Sequence, residues 1–135
     1  MTHYTGIDII EIARIKKAME RWGEAFLHRV YTDAEIKQYH QKPPSLAARF
    51  ACKEAVMKLL GTGRRGVRWR EIETLSQPGG KPVVKLYGRA QRRASQLGLK
   101  EIAVSLSHSK ENAVASVVAV SETWPARDAL FDIQT

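Results

Sequence analysis

The stretch SLAARFACKEAVMKLLGTG, residues 45–63, restricts the fold more than any other part of the chain. At about 100° per residue, Ala48, Cys52, Ala55, Val56 and Leu59 fall on one apolar stripe, the mark of a helix packed into a core. KPPS (42–45) breaks the chain ahead of it, Ser45 is the candidate N-cap, and Gly61 and Gly63 end the helix after Leu60. Lys53 and Glu54 stand side by side inside this run, and a packing helix needs neither. The Gly-Thr-Gly end leads straight into RRGVRWR, which packing does not require either.

The remaining elements follow from periodicity and turn chemistry. YTGIDIIEI (4–12) reads as a strand and Arg14 to about Phe26 as a helix; TDAEIKQY (32–39) opens with a Thr/Asp cap and carries Glu35 three residues after Thr32. WREIETL (69–75) and VVKLY (83–87) read as strands joined by the turn QPGGKP, and GRAQRRASQLG (88–98) as a helix ending at glycine. EIAVSLSH and NAVASVVAV read as two strands joined by SKE. The expectation is one α+β domain with mostly antiparallel pairing, residues 1–121, followed by a tail at 122–135 that Pro125 interrupts.

At 135 residues, 44% hydrophobic and 27% charged, the composition is that of a soluble globular domain with a real core. No apolar run approaches the ~20 residues that span a bilayer, so no membrane partner is expected. No basic segment leads into an apolar stretch at the N-terminus, so no secretory signal is expected. The single cysteine, Cys52, lies on the apolar side of its helix and reads as a core residue, with a reducing, cytoplasmic location as the default. The net charge of +8 is unevenly placed: residues 42–70 hold eight basic side chains and one acid, Glu54, whereas residues 1–38 hold six of each. Such a field suits a polyanion, whether nucleic acid, a phosphate-rich cofactor or an acidic protein.

Asp8 shares a strand face with Gly6 and Ile10. Taken alone it is either a carboxylate bonding backbone amides at a strand end or a metal or catalytic carboxylate. Glu54 and Lys58, across the helix from the apolar stripe, are spaced for an exposed ion pair. As the one acid among eight bases beside a glycine-bounded loop, Glu54 also reads as a site residue. Together, Asp8 and Glu54 match the one or two carboxylates that hold magnesium while phosphate oxygens and water complete its shell. Gly-Thr-Gly permits close approach of a ligand to backbone, but it is not a Walker loop. His108, between Ser107 and Ser109, reads as a polar turn residue or a phosphate contact; neighbouring strand residues face opposite ways, which argues against a Ser–His hydrolase. Arg14 and Arg21 lie with Lys16, Lys17, Met19, Trp22 and Phe26 on a helix that is either a plain amphipathic helix or a docking face for an acidic helix.

GIDIIEIARI (6–15), RFACKEAVMKLLGTG (49–63), WREIE, GGKP and VSLSHSKENAVASVV occur in the order in which these blocks occur in a known family. In them the chain resembles the holo-acyl-carrier-protein synthases, the small bacterial branch of the phosphopantetheinyl transferases, over roughly residues 4–120. The resemblance implies an α+β fold with a mostly antiparallel sheet, a long central helix and shorter helices. It also implies transfer of 4′-phosphopantetheine from coenzyme A to a serine of apo acyl carrier protein, releasing adenosine 3′,5′-bisphosphate.

By the same resemblance, Asp8 and Glu54 would bind Mg2+, and Lys58 would sit by the pyrophosphate of coenzyme A; these three are the implied catalytic residues. Arg49, Gly61, Thr62 and Gly63 would contact the nucleotide, and Lys81, Pro82, His108 and Ser109 would line the same cleft. That cleft would lie between subunits of a homotrimer, and Arg14 and Arg21 would face the carrier. The general base stays open among Glu54, Lys58 and a water on the metal.

The segment HQKPPS is short for the family, Arg64 and Arg65 make the loop after Gly-Thr-Gly unusually basic and take no assigned role, and the tail extends beyond the family core, either packing on a neighbouring subunit through Trp124 and Phe131 or staying mobile. Two other classes fit the charge: a basic nucleic-acid-binding domain, which leaves Asp8 and Glu54 without a role and offers few aromatics for stacking, and a coenzyme A-binding protein without activity.

Overall fold

Alternating side chains at the N-terminus produce β1 (Thr2–Glu11), whose even-numbered residues face inward and whose odd-numbered residues face out. A computed structural model describes residues 1–122 of the chain. Two helices follow, α1 (Ile12–Trp22) and α2 (Glu24–Val30). The sequence predicts one helix through Phe26; the structure breaks it at Gly23, whose φ of 53° ends α1 with its N–H donated to the Met19 carbonyl. Next, α3 (Asp33–Tyr39) begins in a complete capping box, Thr32 accepting from the Glu35 amide and Glu35 from the Thr32 amide.

The long helix is α4 (Pro43–Leu60). Its N-cap is Lys42 rather than Ser45, because Pro43 and Pro44 occupy the first helical positions, where a missing N–H costs nothing. Gly61 closes it in the left-handed region (φ 73°), as its glycine suggested. A single turn, α5 (Gly63–Gly66), and a short 3-10 turn at Trp69–Glu71 lead into the hairpin of β2 (Ile72–Ser76) and β3 (Pro82–Leu86). The first part of the predicted strand 69–75 is therefore a turn, held by the Glu71 carboxylate accepting from the Arg68 amide at 2.7 Å. After α6 (Gly88–Gln96), β4 (Ala103–His108) and β5 (Asn112–Ser121) complete an antiparallel sheet in the order β1-β5-β4.

The core lies between that sheet and α4. Gly6, Ile10, Ala113, Ala115, Val117 and Ala119 present the inner face, and small residues there let the helix lie close. A Cβ on Gly6 would overlap the carbonyl oxygen of Ala55, so only glycine permits this seating. α4 is buried nearly all round. From Leu46 to Leu60, only Phe50, Glu54 and Lys58 escape full burial, and their i, i+4, i+8 spacing makes one open stripe. The outer sheet face carries Ile7, Ile9, Val118 and Val120, all exposed.

Lys53, next to that stripe, is wholly buried. Its ammonium donates to Glu35 Oε1 at 2.7 Å, to the Trp69 carbonyl at 3.1 Å and to the Ile72 carbonyl. Glu35 Oε2 accepts from the Thr74 amide, and Thr32 Oγ1 donates to Glu73. One polar knot thus ties α3 and α4 to the start of β2. Burial lowers the Lys53 pKa and Glu35 opposes that shift. Burial also pushes the Cys52 thiol up to about 11, in keeping with its reading as a core residue rather than a nucleophile.

Lys53→Met strands the Glu35 charge and should lower unfolding stability by about 3–5 kcal/mol in urea titration; a loss below about 1 kcal/mol would show that the knot carries no load. Gly6→Ala should cost about 1–3 kcal/mol or more by the same measurement, through forced separation of β1 from α4. Unchanged stability there would contradict the close seating.

Candidate active site

The seating of β1 at Gly6 brings Asp8, two residues further along the same face, to the open stripe of α4. Lys58 Nζ donates to Asp8 Oδ1 at 3.0 Å and to the Ile7 carbonyl at 2.9 Å. One turn back, Glu54 lies beside Lys58 with Cβ atoms about 5–6 Å apart by helix geometry. Glu54 does not pair with Lys58. Its Oε1 accepts from Arg64 Nε at 3.2 Å and Nη2 at 2.8 Å, because the glycine-bounded turn after α4 folds Arg64 back over the helix.

The two carboxylates are set in deep and their partners are not. The Asp8 and Glu54 side chains are 19% and 15% exposed, against 56% for Lys58 and 67% for Arg64. Fixed acids are therefore countered by long, movable cations, which a ligand can draw away. Among the described residues no three His, Cys, Asp or Glu side chains converge. The donor set is two hard oxygen groups with no nitrogen or sulfur, which fits magnesium completed by phosphate and water and does not fit a closed zinc site.

At the other end of the open stripe, Phe50 stacks on Trp69 with ring centroids 4.8 Å apart, and the Arg64 guanidinium lies 5.4 Å from the Trp69 ring. These rings, with Trp22, Ala25, Phe26, Arg29 and Val30, form a mainly apolar groove of about 380 Å³. Arg21 is exposed on α1 beside it, lying over Trp22 at 4.8 Å, and Arg14 is exposed on the same helix.

The other predicted contacts lie elsewhere. Arg49, Pro82 and His108 line a second cleft of about 380 Å³, with Tyr39, Ser76 and residues 104–107 of β4. Arg49 is largely buried there: its Nη2 donates to the Tyr39 hydroxyl at 2.8 Å and Ser76 Oγ at 2.9 Å, its guanidinium lies 3.9 Å from the Tyr39 ring, and its Nε has no partner. Lys81 and Ser109 adjoin Pro82 and His108 in the chain without lining this cleft. Nine residues of helix separate Arg49 from Lys58, about 14 Å along the axis. Gly61, Thr62 and Gly63 fall at the Lys58 end. Within one chain, then, Asp8, Glu54, Lys58 and Gly-Thr-Gly form one group and Arg49, Pro82 and His108 another.

Arg64, Phe50 and Trp69 are site neighbours that the sequence reading left without a role. Arg64 had one signal, a base just past the glycine turn, where the chain reverses toward Glu54. The stacking of Phe50 on Trp69 had none, since it depends on the short turn at 69–71.

The 4′-phosphopantetheinyl transferase superfamily model matches residues 4–118. A protein of Dehalococcoides mccartyi named holo-[acyl-carrier-protein] synthase is 55% identical over 116 residues, covering 86% of this chain and 97% of its own. The crystal structure of Helicobacter pylori holo-[acyl-carrier-protein] synthase in complex with coenzyme A is similar with a TM-score of 0.78 and 32% identity, covering 86% of this chain and 99% of that one. A Bacillus anthracis holo-(acyl-carrier-protein) synthase in complex with CoA (3′,5′-ADP) has a TM-score of 0.72 and 34% identity, covering 88% and 96%.

Proposed function

The chain belongs to the holo-[acyl-carrier-protein] synthase family of 4′-phosphopantetheinyl transferases and moves phosphopantetheine from coenzyme A to acyl carrier protein, and we propose that it does so with Asp8, Glu54 and Lys58 around magnesium. The observation that carries this reading is the contact of Lys58 with Asp8 one helical turn from Glu54, on the only open stripe of a buried helix. Residues 1–121 form the transferase domain on this reading, with 122–135 beyond it; Trp124 and Phe131 lie outside the described residues.

In the reaction, the carrier serine oxygen forms a bond to the β-phosphorus of coenzyme A. The bond from that phosphorus to the bridging oxygen breaks, the serine proton passes to a base, and adenosine 3′,5′-bisphosphate departs. The 3′,5′-ADP named with the Bacillus anthracis enzyme is the same compound, which supports this reading. Magnesium held by Asp8 and Glu54 would supply charge neutralisation at the phosphate oxygens. Lys58, more than half exposed, can leave Asp8 for a phosphate oxygen, where a cation stabilises the charge that builds in the transition state. Arg64 can leave Glu54 in the same way and so free it for its ligand role. Glu54, one helical turn from Phe50 on the same open stripe, would also be placed to take the serine proton.

That groove, flanked by Arg21 and Arg29, suits a carrier that presents an apolar residue among acidic ones, with Arg14 and Arg21 as the charged contacts. The surplus of base thus serves coenzyme A and an acidic protein rather than nucleic acid. The separation of Arg49, Pro82 and His108 from Lys58 supports a homotrimer in which one subunit supplies the metal end and its neighbour the nucleotide end. The uncovered row of Ile7, Ile9 and Val118 gives such an assembly an apolar surface to bury. No helix of the described residues is long and apolar enough to cross a membrane, and a cytoplasmic location suits the single buried thiol.

Glu54→Gln should reduce carrier modification by at least about a hundredfold while leaving the melting temperature nearly unchanged; retained transfer would remove Glu54 from the metal site. Light scattering of the full chain should give three times the 15.2 kDa chain mass, and a monomer mass at assay concentration would exclude the shared site.

A further inference from the structure

One strongly charged cavity is left without a role by the transferase reading. On α6, Arg89, Arg92, Arg93 and Gln96 follow i, i+3, i+4, i+7 spacing and so share one helix face, while Ala90 and Ala94 are buried on the other. That face closes against the turn after α4. Thr62, Arg65, Gly66, Arg89, Arg92, Arg93 and Gln96 enclose a cavity of about 320 Å³.

Four arginines line it and no acid does among the described residues. Like charges at this spacing weaken a helix. Arg93 is anchored, its Nε donating to the Leu60 carbonyl at 3.0 Å, and it fixes the floor. The side chains of Arg89 and Arg92 are exposed and make no ion pair among the described residues. Glu71, whose carboxylate reaches the start of α6, is committed to the backbone amides of Arg68 and Arg89. Thr62, in the cavity wall, has a buried hydroxyl with no partner. The cavity also shares a wall with the active site. Arg64 turns to Glu54, whereas the next residue, Arg65, turns to α6.

We propose that the cavity between α5 and α6 is a phosphate-binding site, separate from the transferase centre, in which Arg89 and Arg92 grip a phosphate dianion. Arginine is suited to this because its planar fork meets phosphate oxygens two at a time. The cavity has room for one phosphate group and its ester, not for the backbone of a duplex. The phosphate is either free in solution or carried by a nucleotide. Occupation would brace the Gly-Thr-Gly turn from behind and so tune the loop that carries Arg64. The binding claim stands independently of the transferase reading; only the tuning rests on it.

The test follows arginine side-chain Nε–H signals of the full chain while inorganic phosphate is added at constant ionic strength. Arg89→Lys and Arg92→Lys identify the two signals, and both positions are exposed, so the variants should fold. Expected is saturable movement of the Arg89 and Arg92 signals, with affinity at least about tenfold weaker in the Arg89→Ala/Arg92→Ala double variant and unchanged in Lys58→Ala. Adenosine 3′,5′-bisphosphate in a parallel titration separates the sources: tighter saturation of the same two signals assigns the site to a nucleotide phosphate, and equal or weaker saturation assigns it to free phosphate. Unsaturable shifts matching those from chloride would overturn the proposal. So would full affinity in the double variant, or binding lost in Lys58→Ala, which places the anion in the transferase centre. Saturation by duplex nucleic acid but not by phosphate would overturn it in favour of a polyanion face.

Discussion

The contact on which the rest depends is the meeting of two backbones, β1 and α4, at Gly6 and Ala55. Without a side chain at Gly6 the strand lies directly on the helix, and the inner sheet face behind it is built from alanine and valine to match. This sets the distance from which Asp8 meets Lys58. A strand held one side chain further out would leave Asp8 short of the helix, and the open stripe of α4 would then offer Glu54 alone. Packing and chemistry therefore share a single constraint. The same small residues that let the core close also bring a carboxylate of the sheet to a carboxylate of the helix.

Two lysines five residues apart on α4 show how environment divides one residue type, one locked into the core and one left movable at the surface. Lys53 is buried, fixed by Glu35 and two carbonyls, and joins three elements at a point where losing either partner leaves an unpaired charge. Lys58 is more than half exposed and contributes little to stability as an ion pair, since a surface pair is worth about 0–1 kcal/mol. The phosphate role proposed for it draws on that freedom. A cation that leaves its partner at little cost can follow a phosphate.

Much of this was legible in the sequence, and the reasons are local. The capping box at Thr32 and Glu35, the glycine stop at Gly61, the hairpin around Gly79 and Gly80 and the apolar side of α4 are each fixed by neighbours in the chain, where periodicity and turn chemistry act. Asp8, Glu54 and Lys58 stood out because each contradicts its surroundings: an acid in a strand, and an acid and a base on a helix otherwise committed to the core. What was not legible depends on contacts between distant residues. Glu35 looked like a cap and is also the counter-ion of Lys53, because α3 crosses α4. Arg64 looked unassigned until the turn after Gly61 folded it over Glu54. The break at Gly23 was missed because the apolar spacing of α1 and α2 continues across it.

On the proposed reading, these two carboxylates hold a divalent cation that the transfer requires. Intact-mass measurement of an apo acyl carrier protein after incubation with the chain, coenzyme A and magnesium tests it directly. The predicted result is a gain of one phosphopantetheine on the carrier, abolished by a chelator and restored by excess magnesium. A gain that persists undiminished in the chelator would contradict the claim.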